Sequence, residues 1–146
     1  MMAHRFSLDT VLRLRQIAEE REERLLSRIL REIAELRQQL ADLETQRGNL
    51  LAVREADLRA RTSAMNLHLA TSNLAALDDL EAKGRQQMAQ LELLRVEQMK
   101  RFELAHRDHE LLAGMRDEEK AQFLVRQTKD QQKAMDDNFA ARRKFR

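Results

Sequence analysis

From Leu26 onward the apolar residues step by three and four: Leu26, Ile29, Ile33, Leu36, Leu40 and Leu43, with Leu50 following after Arg47 interrupts the row. Such spacing lays a single apolar seam along a helix, and that seam is buried by packing against another helix. Arg28, Arg31, Glu32, Glu35, Arg37 and Asp42 fall between the seam positions and form solvated faces. Upstream, Phe6, Leu8, Val11, Leu12, Leu14 and Ile17 are apolar, but Arg15, Arg21 and Glu22 thin the seam before Leu25. That end is predicted to be helical yet poorly matched to a dry core. In the second half, Leu74, Leu77, Leu80, Met88, Leu91, Leu94, Met99, Phe102, Ala105, Leu112 and Met115 share a slowly drifting stripe. Beyond Phe123 it thins to Val125, Met135 and Phe139.

Two such stripes in one chain predict two long helices, and the reversal between them has to be found from caps. No Pro and no Gly cluster marks it. Thr, Ser and Asn gather in RTSAMN (residues 61–66) and again in ATSN (residues 70–73). Their side chains compete with helix by bonding to nearby backbone, and they favour N-caps. Asp78 and Asp79 would favour a nearby helix N-terminus. The turn is therefore expected within residues 61–73, with helix one over about 6–61 and helix two running to about 143, all in one coiled-coil domain, 1–146. A late turn gives arms of similar length, whereas an early one leaves the C-terminal helix overhanging. The fold class is all-α, an antiparallel coiled-coil hairpin; one uninterrupted helix in a parallel homodimer is the alternative.

Composition supports helices over a globular core. Charged residues make up 36% of the 146, against about 25% in a typical domain. Leu, Ala, Arg, Glu and Gln, the strong helix formers, dominate. There is no Cys, hence no disulfide or thiol chemistry, and a reducing cytoplasm is compatible. The opening residues are too broken by charge for a signal-peptide core. The longest uncharged run, TSAMNLHLATSNLAAL, is rich in polar residues and short of a membrane span. A soluble protein with no direct membrane insertion is expected.

Candidate chemistry is sparse. Glu103, His106, His109 and Glu110 stand at i, i+3, i+6 and i+7, but di-metal bundles need a second Glu-x-x-His motif and further Glu residues. No second copy exists, so a solvated helix face is the better account and no metal is expected. Gly48, Gly84 and Gly114 stand alone and form no phosphate-cradling loop. A lone hairpin offers no concave pocket for catalysis or a cofactor. The end RRKFR (residues 142–146) is basic, with Arg5, Arg13 and Arg15 near it in a hairpin. The net charge is only +2, however, and acids are interleaved along the chain, whereas a nucleic-acid-binding rod carries a basic stripe. Arg and Phe at an exposed tip equally suit a protein interface.

Two stretches resemble the FliJ family of flagellar export proteins and its relatives in virulence-type secretion systems. RFSLDTVLRLRQIAEE (residues 5–20) is similar to the family's Phe-x-Leu-x-x-Val-Leu-x-Leu opening ahead of an acidic helical stretch. DQQKAMDDNFAARR (residues 130–143) is similar to its closing pattern, here Gln132, Lys133, Met135, Asp136 and Asp137 ahead of Arg142 and Arg143. Asn138 departs from that pattern and sets Phe139 one step late.

The resemblance implies an antiparallel coiled coil similar to the central stalk of rotary ATPases, without catalysis or cofactor. It implies three partners: a hexameric export ATPase whose ring the paired termini enter, the cytoplasmic domain of the export-gate membrane protein, and free export chaperones. The location it implies is cytoplasmic, at the inner face of the cell membrane. Residues carried over as ATPase-facing are Arg5, Phe6, Arg13, Arg15, Lys133, Asp136, Phe139, Arg142 and Arg143; as solvated faces they need no partner. Gate-facing candidates are Gln39, Leu43, Gln46 and Leu50, which share a helix face, with Leu74, Leu77 and Leu80 on the other arm; core packing is the simpler account of most of these Leu residues. The uncharged residues 63–77 are a further hint of a partner surface. A generic coiled-coil scaffold, a rotary-ATPase stalk subunit and a nucleic-acid-binding coiled coil are the alternatives.

Overall fold

The computed structural model describes residues 6–61 and 63–144. Over them the chain forms two helices, α1 (Asp9–Arg59) and α2 (Ala64–Lys144), with no strand among the described residues. The fold is an antiparallel helical hairpin. Arg5, Phe145 and Arg146 of the basic ends lie outside the described residues, as does Thr62 within the first Thr/Ser/Asn cluster.

Two of the described residues shape the reversal. Arg61 takes the left-handed conformation, φ 51°, and ends α1. Ser63 then caps α2: its Oγ accepts the Asn66 N–H at 3.3 Å and its carbonyl accepts that of Leu67 at 3.4 Å. The second Thr/Ser/Asn cluster lies inside α2. There the Thr71 hydroxyl donates back to the Leu67 carbonyl at 2.9 Å and leaves the helix intact.

The contacts divide into two compact units to which both helices contribute. The turn unit is Glu23–Arg101, and the terminal unit is Met1–Glu22 with Phe102–Arg146. In the turn unit, α1 residues Leu26, Ile29, Ile33, Leu36, Leu40, Leu43 and Leu50 are all buried or half-buried. Leu26, Ile33 and Leu36 are the most enclosed, with Ala70, Leu74 and Gln98 of α2. At about 1.5–3 kcal/mol for each fully buried aliphatic side chain, this one-layer seam is what holds the helices together.

The α2 seam departs from the expected stripe. It runs through Leu67, Ala70, Leu74, Leu77, Glu81, Gly84, Met88, Leu91, Arg95 and Gln98, strictly alternating steps of three and four. Leu80 and Leu94 sit one position off it and are about half exposed. Register decides this, because a coiled-coil seam keeps to 3.5 residues whatever occupies it. The charged occupants are ion-paired, Arg95 with Glu92 at 2.8 Å. Glu81 is met across the seam by Arg47 at 3.7 Å and along α2 by Arg85 at 2.5 Å, while Arg47 also reaches Asp78 at 3.3 Å.

In the terminal unit the apolar burial is thinner. Phe6 and Leu12 are its buried hydrophobic residues, and the next α1 seam positions are Arg15, Glu19 and Glu22. Facing residues on α2 include the half-buried Phe102, Ala105, His109 and Leu112, while Met115 is exposed. From 128 to 144 every α2 residue is exposed, so that stretch is helix without a packed face.

Candidate functional site

The exposed end of α2 is the first candidate surface. Successive residues on a helix turn by about 100°, so Arg142, Phe139, Arg143 and Asp136 fall within a sector of about 120°, which also holds Met135, while Lys133 lies about 60° beyond it. Phe139 is 67% exposed and Met135 71%. The Arg143 guanidinium sits over the Phe139 ring at 6.0 Å, fixing an aromatic face with a cation on it. The heptad register continues through Arg126, Asp130, Lys133 and Asp137, so the former seam side carries only charged residues, while the Phe139 sector mixes apolar and charged ones.

The α1 candidates behave differently. Arg13 is exposed, and Arg15 is half exposed and ion-paired with Asp108 at 3.6 Å. Phe6 is 6% exposed in the free chain, and its carbonyl accepts the Asp9 N–H at 3.1 Å. Its ring packs inside the terminal unit and presents almost nothing to a partner. An open groove on α2 was not anticipated: Phe123, Arg126, Gln127, Asp130 and Gln131 line 760 Å³ of it with Glu119 and Ala134. The legible signal for it was a heptad register that continues with charged residues after its apolar ones stop.

The second candidate surface is in the turn unit. Gln39, Leu43, Gln46 and Leu80 line a groove of 640 Å³ together with Leu40, Gly84 and four further residues. Gln46, Leu50 and Leu77 line another of 460 Å³ with Asn49, Asn73 and Ala76. Six of the gate-facing candidates therefore border these two grooves, which share Gln46. Leu74 does not: at 8% exposure it is core, because its heptad position points at α1. Near the turn, Met65 and Leu69 are exposed at 73% and 54%.

The histidine cluster is rearranged by the fold. His106 and His109 are both turned to Glu19 of α1, and Glu103 is exposed. Among the described residues no His, Asp or Glu group is arranged to hold a metal ion. Nor is any described helix long and apolar enough to cross a membrane.

Against known families, the model of the flagellar FliJ protein matches residues 4–146. The chain belongs to the FliJ family. No curated protein and no solved structure gives a significant match. Family membership makes the chain a component of the flagellar export apparatus, associated with the export machinery, in a family that is not catalytic.

Proposed function

We propose that the chain binds the hexameric export ATPase through its terminal unit and promotes assembly and activity of that ring. The observation that carries this reading is the bare stretch 128–144 of α2, which exposes Phe139, Met135 and the cations beside them. Such a helix has no stabilising contact of its own beyond local bonds, and exposed aromatic and Arg residues are what interfaces use as anchors. Arg5, Arg13, Arg15, Lys133, Asp136, Arg142 and Arg143 supply charge that sets encounter and register with subunits around a ring. Phe6 supports the α1 side from within.

The grooves of the turn unit are assigned to the cytoplasmic domain of the export-gate protein, with Gln39, Leu43, Gln46, Leu50, Leu77 and Leu80 as contacts. Export chaperones are a further class of partner, and the chain works in the cytoplasm against the inner face of the membrane, without a cofactor. The experiment is turnover and hexamer formation of the purified export ATPase with the full chain and with a chain cut after Asp130. Stimulation by the full chain alone supports the reading. Equal stimulation by both removes the bare helical end from it, and stimulation by neither returns the chain to a scaffold.

A further inference from the structure

In the terminal unit, Glu19 stands at an α1 seam position facing two histidines of α2. Its Oε1 is 2.8 Å from His106 Nδ1 and its Oε2 is 2.5 Å from His109 Nδ1. Oε2 is buried and has no aligned hydrogen-bond donor, so the short approach to His109 is a close contact rather than a well-formed bond. His106 uses its other nitrogen on Glu110 Oε1 at 3.1 Å, and its ring stacks on Phe102 with centroids 5.8 Å apart.

The surrounding charges make the imidazoles decisive. On α1, Arg15 and Glu22 flank Glu19 in the seam, and Glu20 accepts a hydrogen bond from Gln16. On α2, Glu103, Arg107, Asp108 and Glu110 lie around the histidines, with Asp108 paired to Arg15. Carboxylates outnumber cations here, and apolar burial in this unit rests on few residues. A half-buried carboxylate in such a seam is held by whatever positive charge faces it.

We propose that Glu19, gripped by His106 and His109, is a pH-dependent tie between α1 and α2 in the terminal unit. The bond to Glu19 raises the His106 pKa above its usual 6.5, with desolvation opposing and Glu110 adding to the rise. The same bond, against desolvation, lowers the Glu19 pKa below 4.5. A raised histidine stabilises the folded pairing below 6.5 and loses that contribution as pH climbs through its raised midpoint. A lowered carboxylate stabilises above 4.5 and loses its contribution as pH falls through its lowered midpoint. The tie is therefore firm between those limits and slackens on the alkaline side. It does not depend on which partner meets the terminal unit, since it is a property of the free chain.

Hydrogen exchange on the full chain, corrected for the intrinsic pH dependence of exchange, tests it. Protection over residues 9–22 is expected to fall by about threefold or more between pH 6 and pH 8, while residues 26–43 hold theirs. Glu19→Gln should abolish the difference and His68→Gln should preserve it. Unchanged protection in the native chain, or a full pH effect in Glu19→Gln, overturns the proposal. Should Glu19→Gln unfold the segment, histidine ring-proton NMR on the native chain decides: His106 must titrate above the usual 6.5, and a midpoint at or below that value overturns it.

Discussion

Gly84 faces Leu40 so closely that a Cβ built on the glycine would lie 2.6 Å from Leu40 Cδ2. The glycine is at a seam position and lets the two helices approach where a side chain would hold them apart. Gly48 and Gly114 are also mid-helix, but nothing lies within 4 Å of a Cβ at either. Replacing a mid-helix glycine by alanine gains about 0.5–1 kcal/mol of backbone entropy and propensity. Gly48→Ala and Gly114→Ala are expected to deliver that gain. Gly84→Ala is expected to fall near zero, because moving the tip of Leu40 off its rotamer costs about 0.5–1.5 kcal/mol. Thermal unfolding by circular dichroism, run side by side on the three variants, checks the ranking; a Gly84→Ala gain equal to the other two would show that the close approach has no cost.

The reversal makes an opposite prediction for glycine. Arg61 is left-handed without being Gly, which costs an L-residue about 1–2 kcal/mol. Arg61→Gly relieves that strain and returns part of it as unfolded-state entropy, so a net gain of about 0.5–1 kcal/mol is expected. Ser63→Ala, by contrast, removes the acceptor for the Asn66 N–H and should cost about 1 kcal/mol. Denaturant midpoints of the two variants should move in opposite directions.

How much of this was visible beforehand varies from helix to helix. The α1 row from Leu26 to Leu50 was legible, since its apolar residues and the helical register coincide. On α2 they do not. Apolarity alone favours Leu80 and Leu94, and nothing local reveals that Glu81, Gly84, Arg95 and Gln98 take the seam; only pairing with a partner helix fixes that choice. Phe6 and Leu74 were open to either reading because large apolar residues look alike whether they face a partner or a core, and for Leu74 the simpler account, core packing, is what the fold shows. The reversal had two Ser/Thr/Asn clusters of similar chemistry, and the one around Thr71 is neutralised by a hydroxyl bond back to Leu67 that spacing does not disclose. The Glu19 cluster was half visible: the histidines stood out, but their acidic partner lies 87 residues away in sequence.

Arg47 holds a seam position as a cation between Asp78 and Glu81, both within 3.7 Å. Its side chain is 45% exposed, so each pair is worth no more than about 0–1 kcal/mol in water. Arg47→Met keeps the apolar stem along the seam and is expected to change stability by less than about 0.5 kcal/mol. Arg47→Glu places a third carboxylate beside two others and should cost more than either Arg47→Met or Arg47→Ala. High salt should narrow the gap between Arg47→Glu and the native chain, since exposed charges are screened; melting curves at low and high ionic strength check it.

Phe139 separates folding from partner binding. Its ring is 67% exposed on a stretch with no packed face, and its nearest aid is Arg143 at 6.0 Å. An exposed cation–π pair contributes about 0.5–1 kcal/mol at most, confined to the last turns of α2. Phe139→Ala is therefore expected to leave the cooperative unfolding transition within about 0.5 kcal/mol of the native chain. If Phe139 anchors the terminal unit on the export ATPase, the same variant should weaken binding by about tenfold or more, the range of an aromatic hot spot. Lys133→Ala, outside the Phe139 sector, should cost distinctly less and act mainly on association rate and its salt dependence. Binding to the purified ATPase, read by surface plasmon resonance for the native chain and both variants, decides it. Equal losses for Phe139→Ala and Lys133→Ala would mean that the charged face, rather than the aromatic one, meets the ring.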